Sequence, residues 1–203
     1  MMRQFASTIT SFLILENIIL KDDAEIYRYG IEQILINLST FVVVGILATI
    51  TGTWIETIFF FAGLIPIRMI AGGYHSKTPQ RCNVLTFFVY VVNMILITLM
   101  KSHITYPLTY TINMIIIVII FSVAPVDHKN RELDEIELST AKKSSRITGT
   151  IIVGFCTASL VLFGLSNIIL ISTMMGAFTA SVSLFIGSIV RGGERNEETE
   201  ISK

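Results

Sequence analysis

The chain has 203 residues, 52% of them hydrophobic and 15% charged, and a mean hydropathy of +0.71, so the average residue prefers an apolar medium. That excludes an ordinary soluble domain and points to one membrane-embedded domain, residues 1–190, with runs about as long as the ~20 residues a helix needs to cross the hydrocarbon core. Fifteen basic and fifteen acidic residues cancel to zero formal net charge, so no charge excess points to nucleic acid as a partner.

Residues 1–20 carry Phe5, Ile9, Phe12 and Leu13 at a spacing that suits an amphipathic helix on the membrane surface, with Lys21, Asp22 and Asp23 ending it in water. Glu16 interrupts the apolar stretch and no small-x-small site follows, so a cleaved signal peptide is not expected. Six apolar runs come next, at about 33–50, 54–70, 84–100, 107–123, 148–165 and 168–190. Unpaired backbone groups are costly in lipid, so each run is expected to be a helix despite its richness in Ile and Val. The fold class follows: all-α, a polytopic membrane protein with six spans and an N-terminal interfacial helix. The connectors 51–53, 101–106 and 166–167 are short, whereas 71–83 and 124–147 are longer and polar. Residues 191–203, rich in Gly, Glu and Arg, read as a disordered tail.

Six crossings put both termini and the two longer loops on one side. That side collects Arg3, Lys21, Arg28, Arg68, Lys77, Arg81, Lys129, Arg131, Lys142, Lys143, Arg146, Arg191, Arg195 and Lys203, and only Lys101 falls on the other. The positive-inside rule makes the basic side cytoplasmic, so the termini and the long loops are expected inside a cell membrane.

The 66–82 segment is the densest cluster of reactive and shape-setting residues. Gly72 and Gly73 can adopt backbone angles closed to other residues, letting the chain leave the second span sharply and approach a ligand closely. Pro79 suits the first turn of a helix, with Thr78 or Ser76 as N-cap, which would put Cys82 in or near that turn. A helix start, Arg81 and a protonated His75 are devices that favour a thiolate. The chemistry this permits is attack by Cys82 on a carbonyl, proton handling by His75, and an oxyanion held by the Gly72 and Gly73 amides or Arg68. Each element also has a plainer reading. His75 and Cys82 could be solvated loop residues, the glycines a helix C-cap, and Arg68 a side chain snorkelling to phosphate headgroups. Two ligands are too few for zinc, so neither a metal nor another cofactor is expected. Cys156, inside the run 151–165 beside Phe155 and Val153, reads as a packing residue that does not meet Cys82.

The pattern Arg68-x3-Gly72-Gly73-Tyr74-His75-x6-Cys82 resembles the signature of the accessory gene regulator protein B (AgrB) family, membrane peptidases of Gram-positive bacteria. Chain length, the amphipathic N-terminus, the span pattern and Ala124-Pro125-Val126-Asp127 after the fourth span extend the likeness over nearly the whole chain. The resemblance implies that Cys82 is the nucleophile and His75 its base, with Arg68 and Gly73 in support. It also implies an autoinducer pro-peptide as substrate, with an amphipathic leader, a cyclising segment and an acidic tail. Asp127 is a candidate to orient His75, or else a solvated residue after Pro125. A homodimer is a further candidate. The rival from another class is a small peptide transporter with Arg68, Asn93, Asn113 and Glu56 along a polar pathway, although Asn93 and Asn113 can equally join helices by hydrogen bonds. A metallopeptidase would lack an HExxH motif.

Overall fold

The computed structural model describes residues 2–74, 79–126, 134–165 and 167–201, with side chains for all of these except 79–80 and 193–201. Among the described residues the chain is helical without strands: α1 (Met2–Leu15), α2 (Ala24–Thr51), α3 (Trp54–Ala71), α4 (Pro79–His103), α5 (Tyr106–Val123), α6 (Glu135–Phe163) and α7 (Ile168–Ile201). A short 3-10 turn, Lys21–Asp23, leads into α2. The six helices α2 to α7 are long and apolar enough to cross a membrane. The protein is therefore an all-α, multi-pass membrane protein.

Two helices begin well before their expected spans. α2 starts at Ala24 rather than 33, and α6 at Glu135 rather than 148, so much of the expected polar loop 124–147 is helix. With 28 and 29 residues, they measure about 42–44 Å at the α-helical rise, against a hydrocarbon core of about 30 Å. Hydropathy reports the part in lipid, whereas the backbone stays helical wherever its residues allow. For α6 they do: residues 135–147 hold Glu, Ala and Lys, good helix formers that need no apolar surroundings. The start is also capped. The Asp134 carboxylate accepts from the Glu135 N–H at 2.8 Å, and Glu135 and Glu137 sit in the first turn, where helix-end charge favours acids.

The chain packs as two compact units. In the first, Met1–Gly52 with Ser76–Val91, α1 packs on α2. α1 buries its small residues Ala6 and Thr10 and leaves Phe5, Ile9 and Phe12 exposed, an apolar face turned outward as an interfacial helix requires. Asn17 stops α1 in the left-handed region (φ 57°). Its N–H donates to Ile14 O and that of Ile18 to Leu13 O, both at 3.0 Å, the pairing that satisfies the last carbonyls of a helix. Asn83 of α4 donates through Nδ2 to Ile36 O of α2 at 2.8 Å.

The second unit, Thr53–His75 with Val92–Lys203, is built around α7. Some 61% of the apolar stretch of α7 is buried, against 17–28% for the other spans, which identifies it as the central helix, with α3, α5 and α6 packed against it. α3 and α7 run parallel: Phe60 and Gly63 meet Gly176 and Thr173, and further along Arg68 and Tyr74 meet Ser183. Their contact is backbone on backbone. A Cβ on Gly63 would collide with Thr173 O, and one on Gly176 with Phe60 O. Helices in lipid gain by such close approach, because no hydrophobic effect drives them together there.

The loop after α3 as a candidate active site

α3 ends at Ala71, and the chain leaves it through two residues in conformations that favour glycine: Gly72 at φ 79°, ψ −143° and Gly73 at φ 142°. Space is as restrictive as angle. A Cβ on Gly72 would stand 2.7 Å from Val126 O, and one on Gly73 at 3.1 Å from Ser183 Oγ and 3.2 Å from Arg68 Nη1. The two glycines thus both terminate the helix and permit close approach, here to the protein's own backbone. One edge of the segment is tied to the chain after α5, where the Val126 N–H donates to Ala71 O at 2.9 Å. The other edge is tied to α7, where the Tyr74 N–H donates to Ser183 O at 2.9 Å.

Arg68 sits a turn before the end of α3 and joins these edges. Its Nη1 donates to Ser183 Oγ and its Nη2 to Tyr74 O at 3.2 Å. The guanidinium is part-buried and turned onto protein groups, so snorkelling toward headgroups does not describe it. Geometrically it is a brace, since a planar fork can bridge a side chain on one helix and a carbonyl in the loop at once.

Cys82 stands where the Pro79 argument puts it. α4 begins at Pro79, so Cys82 lies in the first turn, half-buried and with a free thiol. Its carbonyl accepts from Thr86 Oγ1 at 2.9 Å, and the neighbouring Arg81 is exposed. His75 and Asp127, with Ser76, Lys77, Thr78, Lys129 and Arg131, lie outside the described residues. The structure therefore gathers Arg68, Gly72 and Gly73 around Tyr74 and puts Cys82 on the first turn of the next helix. Cys156 is buried in α6, only 1% exposed, as a packing residue should be.

Two polar residues elsewhere in the spans, Glu56 and Asn93, have partners on a neighbouring helix. Glu56 accepts from Lys101 Nζ at 3.0 Å, pairing the start of α3 with the end of α4. Asn93 Oδ1 accepts from Thr179 Oγ1 at 3.1 Å, joining α4 to α7 as an interhelical bond. Asn113 is buried in α5, and neither of its side-chain polar atoms has a protein partner among the described residues. Two residues around the loop escape a sequence reading, Ser183 and Gly187, and so does the bond from Val126, itself part of the 124–127 motif, to Ala71. The available signal for the two residues is that Gly176, Ala180, Ser183 and Gly187 share one face of an otherwise apolar span.

Six helices long and apolar enough to cross a membrane, with a braced glycine loop after α3 and a free thiol in the first turn of α4, define the class: a multi-pass membrane protein. The chain belongs to the accessory gene regulator B family, whose model matches residues 6–180. It is similar to Protein FsrB of Enterococcus faecalis strain OG1RF, with 29% identity over 147 residues, 68% of this chain and 60% of that protein. The match thus spans only about 60% of the relative's length. No solved structure matches the chain.

Proposed function

We propose that the protein is a membrane cysteine endopeptidase that removes the C-terminal tail of a quorum-sensing autoinducer pro-peptide and promotes its cyclisation. The observation that carries this reading is the constrained loop: a family-signature Arg and two glycines brace residues 72–74 just before the signature His75, and the signature Cys82 occupies the first turn of α4. Membership of the family supports it, and the motif Arg68-x3-Gly72-Gly73-Tyr74-His75-x6-Cys82, which falls inside the matched residues, resembles the family signature to which this reading assigns the chemistry.

In the proposed reaction the Cys82 thiolate attacks the carbonyl at the tail junction. A C–S bond forms as the C–N bond breaks, and His75 delivers a proton to the departing amine. A Cys or Ser side chain of the peptide then attacks the enzyme thioester, His75 accepts its proton, and a thiolactone or lactone ring leaves while Cys82 is regenerated. Passing an acyl group from one thiol to another is nearly neutral in free energy, so the activated bond survives if water is kept out, and the membrane edge serves that end. Asp127 is the candidate to orient His75. The positive-inside bias supports a cytoplasmic loop and cytoplasmic termini, where a newly made pro-peptide would arrive. The partners are then the pro-peptide and the bilayer, with a second copy of the chain as a further candidate.

The test is cleavage of a synthetic pro-peptide by purified protein in lipid vesicles. Cys82→Ala and His75→Ala are expected to abolish release of the tail, and a peptide thioester on Cys82 should be trapped by mass spectrometry. Wild-type rates in either variant would overturn the assignment. Asp127→Asn with undiminished cleavage would remove Asp127 from the mechanism.

A further inference from the structure

The proposed chemistry assigns no role to α7, and the family match stops at residue 180. Yet the segment that carries Tyr74 rests on the part of α7 beyond that point. We propose that Ser183 and Gly187 of α7 form a seat for residues 72–74 and act as positioning residues for the reacting loop, an inference that rests on the peptidase reading above.

Ser183 holds the segment twice. Its backbone carbonyl accepts from the Tyr74 N–H at 2.9 Å, using the second lone pair that a helical carbonyl keeps. Its hydroxyl accepts from Arg68 Nη1, while Nη2 of the same guanidinium donates to the Tyr74 carbonyl at 3.2 Å. Both backbone polar groups of Tyr74 are thereby fixed, one directly by Ser183 and one through Arg68. The hydroxyls of Ser181 and Ser188, its neighbours along α7, bond back into their own helix, to Ala177 O at 2.9 Å and to Phe185 O at 2.7 Å. Ser183 Oγ instead receives the one guanidinium at the end of α3.

Gly187 supplies the space. It follows Ser183 by four residues and so lies on the same helix face. A Cβ there would stand 2.8 Å from Gly73 C and 2.8 Å from Tyr74 N. Those are backbone atoms, which cannot rotate aside as a side chain can. The seat therefore combines a bond that pulls the segment onto α7 with a gap that lets it arrive. Tyr74 immediately precedes His75 in the sequence, so the fixed backbone of Tyr74 leads directly into the proposed acid/base.

The test uses the full chain in vesicles and a synthetic pro-peptide with an amphipathic leader, an internal Cys and an acidic tail. Ser183→Ala removes one hydrogen bond to a charged group and is expected to lower kcat roughly 10–100-fold with KM little changed. Ser183→Thr, which restores the hydroxyl, should recover most of the rate. Gly187→Ala should lower kcat at least as far, and Ser188→Ala, whose hydroxyl bonds Phe185 O in its own helix, should not. A second readout needs no catalysis. In Cys82→Ala protein carrying Tyr74→Cys, alkylation at position 74 should accelerate when Ser183→Ala or Gly187→Ala is added. Unchanged kcat and unchanged alkylation in both variants, with Cys82→Ala inactive, would overturn the seat and leave the peptidase reading intact. So would a kcat loss that threonine fails to restore. Full cleavage by Cys82→Ala would overturn the peptidase reading instead, and the alkylation rates would still decide whether Ser183 and Gly187 hold the segment. Should Gly187→Ala fail to fold, the Ser183 pair and its alkylation rate decide.

Discussion

Gly72→Ala is the substitution whose consequence the structure specifies most fully. At φ 79°, ψ −143° an L side chain is strained by about 1–3 kcal/mol. The added Cβ would also stand 2.7 Å from Val126 O, a backbone atom held by its own neighbour's bond from Val126 N to Ala71 O at 2.9 Å. Overpacking against such a partner costs about 1–3 kcal/mol, so the two effects together come to about 2–6 kcal/mol. Either the 72–74 segment shifts, or the Ala71–Val126 bond breaks and stability falls. Gly73→Ala separates the two outcomes. Its Cβ would press on Ser183 Oγ and Arg68 Nη1 at 3.1 and 3.2 Å, and both are side-chain ends that can yield. Yielding parts Arg68 from Ser183, so this variant should lose less stability than Gly72→Ala and yet lose its cleavage rate. Thermal unfolding in detergent and tail cleavage in vesicles measure the two quantities. Gly30→Ala and Gly154→Ala are the controls, since a Cβ at either meets nothing within 4 Å. Gly72→Ala that unfolds and cleaves like the controls would refute the reasoning.

The packing of the second unit makes further predictions. Gly63→Ala and Gly176→Ala each wedge α3 from α7 and should cost about 1–3 kcal/mol, with a double variant that costs less than the sum because one separation relieves both; unfolding in detergent checks this. Asn93→Ala deletes the bond to Thr179 and should cost about 0.6–1.7 kcal/mol, measured by the same unfolding and by the loss of coupling in a Thr179→Val background. Glu56→Gln and Lys101→Ala should each cost at most about 1 kcal/mol, because Lys101 is 43% exposed in its side chain. A larger value would mean the pair organises more than its own geometry. Cys156→Ala should leave tail cleavage intact, and limited alkylation followed by mass spectrometry should label Cys82 well before the buried Cys156.

The parts of the fold legible in sequence are those where the apolar run and the helix coincide. The expected 54–70 and 107–123 lie within one residue of Trp54–Ala71 and Tyr106–Val123, because each helix is bounded by a break in backbone chemistry close to the lipid edge. Gly72 ends the first and the Ala124-Pro125 pair follows the second. α2 and α6 have no such stop at the lipid edge, and their helical residues continue into the polar zone, where hydropathy carries no information. The site divides along the same line. Gly72, Gly73 and Cys82 could be read because their conformations, sharp exit and helix start, are local properties of residue type. Ser183 and Gly187 could not, because what they do is defined by a partner: Ser183 is 115 positions from Arg68. The face of Gly176, Ala180, Ser183 and Gly187 announces that something approaches α7 closely, and only the parallel packing of α3 identifies it. In a helical membrane protein the small residues of a span are therefore a list of contacts awaiting partners. At the far end of this one the partner is the loop, so the geometry of residues 72–74 is set as much by α7 as by the loop's own glycines.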